Sequence, residues 1–182
     1  MGALERAVTA QDALDILAIQ QCLGRAVIGN DMLDGPMWKS AYWPDGTEDH
    51  GWYNGNAHAF IDETIAMLER DMATTWHGPA MPIIAVEGDR ARAITYFTAY
   101  VRFRAPEGET PQDLLSGGRY VDRLEKRDGL WRIAHRISKG DWIRNDPASY
   151  EWGAPGMGGY VPQMGTRAPD DPGRVLLDEM AG

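Results

Sequence analysis

The chain reads as one α+β domain in which N-terminal helices pack on a strongly curved, mostly antiparallel sheet, followed by a C-terminal extension. Three observations carry that reading. Apolar residues recur at intervals of three and four over residues 11–29 and 57–75. Beyond Pro79 the period drops to two, and β-branched and aromatic residues take over. Asp128-Gly129 then splits two alternating runs, as the tight turn of a hairpin does. At 182 residues the chain suffices for one core of ordinary size but not for two. Residues 1–145 are therefore read as the domain and residues 146–182 as the extension.

The first helix rests on Leu14, Leu17, Ala18, Cys22, Leu23, Val27 and Ile28. Thr9, followed by Gln11 and Asp12, marks its N-cap region. Gly29-Asn30 breaks the pattern and Gly35-Pro36 stops any extension of it. Asp31 is thus left near a helix C-terminus, where the dipole disfavours an anion and a partner elsewhere is expected. Residues 37–42 read as a short helix, Pro44-Asp45-Gly46 as a turn and residues 51–55 as a hairpin. A second amphipathic helix, 57–75, carries Phe60, Ile61, Ile65, Met67, Leu68 and Met72. Residues 81–86 and 91–104 read as antiparallel strands around Glu87-Gly88-Asp89. Residues 105–116 read as a loop, and 118–126 and 130–139 as the second strand pair. The extension holds five of the chain's 11 prolines. With Trp152 and Tyr160 between them, it is expected to be irregular, to end in a weak helix over 175–180, and to act as a lid or a subunit contact.

Charge narrows the function. With 18 Lys and Arg against 27 Asp and Glu, the net charge is −9, and no segment gathers basic residues. Phosphate binding needs a positive face, so nucleic acid and anionic membrane surfaces are not expected as partners. The one cysteine, Cys22, cannot form a disulfide within the chain and is expected to be a buried, inert thiol. A signal-peptide layout and an apolar run of about 18–20 residues are both missing, which predicts a cytoplasmic protein. No GxGxxG follows a strand, and neither GxxxxGK[ST] nor HExxH occurs, so no cofactor or metal is expected. Glu48, Asp49 and His50 are read as solvated or loop-capping groups rather than metal ligands.

The chemistry concentrates in residues 28–51, IGNDMLDGPMWKSAYWPDGTEDHG. This stretch crowds carboxylates, one imidazole and three aromatics together, as a small-molecule pocket requires. His77 in TTWHGP lies 46 positions beyond Asp31. An imidazole can be neutral and basic near pH 7, and a carboxylate on its other nitrogen fixes the tautomer and stabilises the imidazolium that forms. The plainer readings are a helix-terminating histidine at 77 and a turn aspartate at 31. Trp38, Tyr42, Trp43, Trp76, Tyr96 or Phe97, and Tyr100 are expected to line the pocket. Arg102 and Arg104 share a face with Tyr100. Strict alternation from a two-residue turn sets His135 opposite Asp122 and puts Arg136 on the face of Arg132 and Ala134, solvent or pocket.

Together these pieces resemble the SnoaL-like branch of the nuclear transport factor 2-like (NTF2-like) superfamily over residues 10–145. The motifs are IGND at the end of the first helix, YWPDG, TWHGP and GGRYVDRLEKRDGLWRIAHR. The chain is similar to lyases of the hexachlorocyclohexane dehydrochlorinase and scytalone dehydratase type. The resemblance implies an NTF2-like cone with Asp31, His77 and Arg136 as catalytic residues, and with Trp38, Tyr42, Trp43, Trp76, Tyr100 and Arg104 against the substrate. The pattern departs at three points. Ala26, beside Arg25, stands where the dehydrochlorinase has lysine, Asn30 where scytalone dehydratase has tyrosine, and Arg102 nearest to that enzyme's second histidine. The implied activity is a cofactor-independent lyase that removes a proton from a small, apolar, aromatic or alicyclic substrate. The group expelled is water, or formaldehyde from a lignin-derived diaryl diol. A homo-oligomer is expected, a trimer or else a dimer. Rival readings are an isomerase or epoxide hydrolase of the ketosteroid isomerase-like type, with a deep carboxylate base, and a non-catalytic ligand-binding module.

Overall fold

Helix α1 (Ala10–Asp31) begins with a reciprocal cap in a computed structural model that describes residues 7–148 and 166–179. Thr9 Oγ1 accepts the Asp12 N–H at 3.1 Å and the Asp12 carboxylate accepts the Thr9 N–H at 2.8 Å, which satisfies two otherwise unpaired donors. Ile19, Cys22, Leu23 and Ala26 form its buried stripe, while Leu14, Leu17 and Ile28 stand outward. The helix does not stop at Gly29. A Cβ at that position would come within 2.5 Å of the Trp38 backbone nitrogen, so glycine is what lets helix α2 (Gly35–Ser40) cross close beneath α1. Asp34 caps α2 by accepting the Met37 N–H at 2.9 Å.

Strand β1 (Tyr42–Asp49) follows at once. The expected turn at Pro44-Asp45-Gly46 is instead an irregularity within the strand, where its register against its neighbour shifts between Tyr42 and Thr47. The hairpin over 51–55 forms as expected, between β1 and β2 (Asn54–Asn56). Helix α3 (Ala57–Asp71) is capped by Asn56 and ends four residues earlier than its apolar spacing predicts. Met72 begins strand β3 (Met72–Pro79), where the β-branched pair Thr74-Thr75 fits a pleat better than a helix.

The remaining strands are β4 (Ile83–Glu87), β5 (Arg90–Phe103), β6 (Gln112–Arg127) and β7 (Leu130–Pro147). β6 therefore takes in the end of the expected 105–116 loop, and β7 runs past the expected domain end at 145. The order is β2-β1-β7-β6-β5-β3, with β4 added to the first half of β5. All pairs are antiparallel except β1 with β7, so the sheet is mixed. It curls without closing, and the helices pack on its inner face. Ile19, Cys22, Phe60, Ile61, Leu124, Trp131 and Ile133 make the core between them. No helix among the described residues is long and apolar enough to cross a membrane.

The described end of the extension carries helix α4 (Pro172–Glu179). It is tied to the junction of α1 and α2: Arg174 pairs with Asp34 at 2.6 Å, and the Ala168 N–H reaches the Met32 carbonyl at 3.1 Å. Trp152 and Tyr160 lie outside the described residues.

Candidate active site

Asp31 is the last residue of α1, and the partner its position calls for is His77 on β3. Asp31 Oδ1 lies 2.6 Å from His77 Nδ1, and Oδ2 accepts the His77 backbone N–H at 2.7 Å. A carboxylate can only accept, so Nδ1 carries the hydrogen and Nε2, across the ring, is left as the basic nitrogen. The double contact fixes both the tautomer and the plane of the imidazole. The side chains of His77 and Asp31 are only 14% and 19% exposed, which limits competition from water.

His77 opens onto a cavity of about 270 Å³ between the inner face of the sheet and the helices. Sheet alternation selects its wall: β3 pairs Thr75 with Val101 and His77 with Ala99, so the odd-numbered residues Phe97, Ala99, Val101 and Phe103 face inward. Trp38 from α2, Phe60, Met67 and Leu68 from α3, and His50 and Trp52 from the β1–β2 hairpin close the opposite side. Tyr120 stacks on Phe97 with ring centroids 4.4 Å apart. Burial pushes its hydroxyl pKa up, against the pull of Arg136, so the phenol stays protonated at neutral pH.

Beneath Tyr120 lies a buried ionic layer. Arg136 donates to both Asp122 oxygens, at 2.7 and 2.9 Å, and its guanidinium sits 4.2 Å from the Tyr120 ring centroid. Burial opposes the charge on Arg136, but Asp122, Tyr42 and Glu48 hold its pKa well above the ordinary value. Strict alternation does not produce this arrangement. A bulge at Ala134 shifts the register, so Leu124 pairs with Ile133, Arg123 with His135 and Asp122 with Arg136. Side chains from His135 to Gly140 change face, until a second shift at Asp141 restores the parity. Arg136 turns into the core, and the expected His135–Asp122 pair is replaced. His135 instead faces outward, with Nδ1 2.7 Å from Thr47 Oγ1.

Of the residues expected at the site, Asp31, His77 and Trp38 come together at the cavity, and Arg136 lies one layer behind it. Of the pair Tyr96 or Phe97, Phe97 lines it and Tyr96 is exposed; the others do not reach it. Tyr42 is fully buried in the core, where its hydroxyl donates to Glu48 Oε1. Trp43 sits at the far end of the β6–β7 hairpin, its indole N–H on the Glu125 carbonyl at 3.1 Å, with Arg127 and Arg132 over its ring. Trp76 and Tyr100 are register partners on the outer face of the sheet, as their even numbers require. Arg102, on the same strand, pairs with Asp113 at 2.7 Å. Arg104 is exposed beyond the end of β5.

Sequence reasoning did not assign His50, Phe60, Phe97 and Tyr120 firmly to the cavity. Phe97 was legible once the parity of β5 was set by His77. His50 was not, because it was read with its acidic neighbours as a solvated turn. In the fold its ring stacks on Phe60 at 4.4 Å, and Glu48 turns inward, buried, with Oε2 3.3 Å from His50 Nε2.

Helices closing a curled, mixed sheet over an acid–imidazole cavity define the cone of the NTF2-like class. The SnoaL-like domain model matches residues 11–137, and the chain belongs to that family. No curated protein matches it. Among solved structures, a type 2 LinA hexachlorocyclohexane dehydrochlorinase superposes with a TM-score of 0.69 at 20% identity, over 82% of this chain and 100% of that one. LinA-type3 from Novosphingobium barchaimii gives a TM-score of 0.67 at 18% identity, over 85% of this chain and 100% of that one. A scytalone dehydratase-like protein from Novosphingobium aromaticivorans gives 0.64 at 14%, over 87% of this chain and 95% of that one. At these identities the likeness carries the fold.

Proposed function

We propose that this protein is a lyase that needs no redox cofactor or metal for its chemistry. His77 Nε2 takes a proton from carbon in a small, largely apolar, aromatic or alicyclic substrate, and a leaving group departs from the adjacent carbon. One observation carries the reading: Asp31 grips both the ring and the backbone of His77, at 2.6 and 2.7 Å, at the wall of an apolar cavity. The C–H electron pair becomes the new π bond, and the proton rests on an imidazole whose positive charge Asp31 offsets. General-base placement of this kind contributes about 10²–10⁴ in rate. Tyr120, a protonated phenol over the cationic Arg136, is positioned to donate to an oxygen that gains charge. Water is the leading leaving group, with formaldehyde from a lignin-derived diaryl diol next; there Nε2 takes the hydroxymethyl O–H proton instead, the O–H pair forms the C=O of formaldehyde, and the pair of the broken C–C bond forms the alkene as the neighbouring hydroxyl leaves and is protonated to water. A homo-oligomer, trimer before dimer, belongs to the same proposal.

The isomerase reading wants a deep carboxylate facing the substrate. Asp122 is occupied by Arg136, and Glu48 faces a chamber of about 20 Å³, too small for a substrate skeleton. A non-catalytic module has no use for an oriented imidazole. The test is a turnover screen of aromatic diols and hydroxylated ring compounds in metal-free buffer. His77→Ala and Asp31→Asn should each lose at least about 10²-fold in kcat/KM. Activity unchanged in His77→Ala rejects the assignment.

A further inference from the structure

The mechanism above leaves one buried titratable group without a task. Glu48 is 1% exposed; its Oε1 accepts from Tyr42, but its Oε2 has no hydrogen-bond donor among the described residues. His50 Nε2 approaches Oε2 to 3.3 Å without forming an aligned hydrogen bond. An orphaned buried carboxylate oxygen is costly, so a site that keeps one has a use for it. A second orphan lies alongside: Asn30 Oδ1 is also buried without a partner. Both residues line one chamber of about 20 Å³ together with Trp38, His50, Tyr120 and Arg136. Asn30, Trp38, His50 and Tyr120 also line the large cavity, so the chamber is a side pocket of it.

Size and chemistry define what fits. A volume near 20 Å³ admits one water-sized group. Two orphaned acceptors among the residues lining one chamber call for a group that carries a proton to donate. A halogen or an ether oxygen has none, and either would face the Glu48 carboxylate unpaired. We propose that this chamber is a hydroxyl-receiving subsite: the substrate carries a hydroxyl that enters it and donates to Glu48 Oε2, with Asn30 as the second acceptor. A hydroxyl seated there lies against Glu48 and His50, the second acid–imidazole couple of the cavity. The inference deepens the lyase reading by naming a hydroxyl as the handle its substrate must bear. A lone water is the other source of the same chemistry.

The test is equilibrium binding of three probes to the intact protein by titration calorimetry or ligand-observed NMR: 2-indanol, indane and 2-methoxyindane. An apolar cavity alone favours indane, and an acceptor-poor one treats alcohol and ether alike. The proposal expects 2-indanol to bind at least about tenfold more tightly than either, since only the alcohol donates a hydrogen bond to the charged carboxylate. In Glu48→Gln the preference should fall to about threefold or less. The wild-type comparison stands even where that variant does not fold. His77→Gln should keep the preference while losing turnover, so failure of the base assignment and failure of the subsite are read separately. Equal affinities in the wild type, including no binding of any probe, overturn the proposal and leave the chamber to a water. A preference undiminished in a folded Glu48→Gln overturns the assignment of the acceptor.

Discussion

A thiol and a guanidinium show how strongly burial sets chemistry in this core. Cys22 is fully buried and donates to the Ala41 carbonyl at 3.2 Å, and burial pushes its pKa up to about 11. The thiolate is the reactive form, so native protein at pH 8 should not react with a thiol-specific disulfide reagent, while protein in denaturant should react fully. Rapid labelling of the folded chain would contradict that burial. Arg136 differs because its charge is answered. Arg136→Leu strands Asp122, and leaving a buried charge unpaired costs about 3–5 kcal/mol. Urea denaturation should show that loss, and the double variant Arg136→Leu/Asp122→Leu should recover much of it. Lost activity in Arg136→Leu alone would therefore not by itself make Arg136 a catalytic residue.

Between elements, one carboxylate ties the first helix to the last hairpin. Asp15 on α1 accepts from Trp131 Nε1 at 2.8 Å, from Lys126 Nζ at 2.9 Å and from Gln11 Nε2 at 3.3 Å. Burial alone would raise its pKa, but the bonds from Trp131, Lys126 and Gln11 outweigh it and the carboxyl is held below its ordinary value. A depressed carboxylate stabilises the fold above the unfolded value of about 3.9, and that contribution is lost as pH falls through the folded one. Asp15→Ala should cost about 1–3 kcal/mol at pH 7, because it orphans a buried indole N–H. In urea titrations the gap from wild type should narrow below about pH 4, as the charge-dependent part is lost while the cost of the orphaned indole N–H persists. A gap of constant size down to pH 2.5 would mean that Asp15 acts through packing instead.

At the scale of the whole molecule, what was legible followed from periodicity, and what was not followed from events that interrupt it. The α+β class, the helices, the Asp128-Gly129 hairpin and the meeting of Asp31 with His77 were all accessible from spacing and motif. Arg136 was ambiguous because one unpaired residue, Ala134, reverses the parity of the residues after it as far as a second shift at Asp141, and no local signal in LWRIAHR marks a bulge. Trp76, Tyr100 and Trp43 were misplaced because aromatic content says nothing about which face of a sheet a ring occupies. Helix α3 ends before its apolar spacing does, because tertiary pairing claims Met72 for β3. A run of acids in sequence does not reveal that β1 carries Glu48 into the core beside His50.

The proposed chemistry depends on a single feature: Asp31 holds the hydrogen of His77 on Nδ1 and leaves Nε2 as the base. Nitrogen-15 NMR of the histidine side chains reads that directly, and only four histidines need assignment. With the ring neutral, the signals absent from His77→Gln should report a protonated Nδ1 and a pyridine-type Nε2, and Asp31→Asn should erase that preference. A His77 ring protonated on Nε2, or one indifferent to Asp31→Asn, would contradict the account.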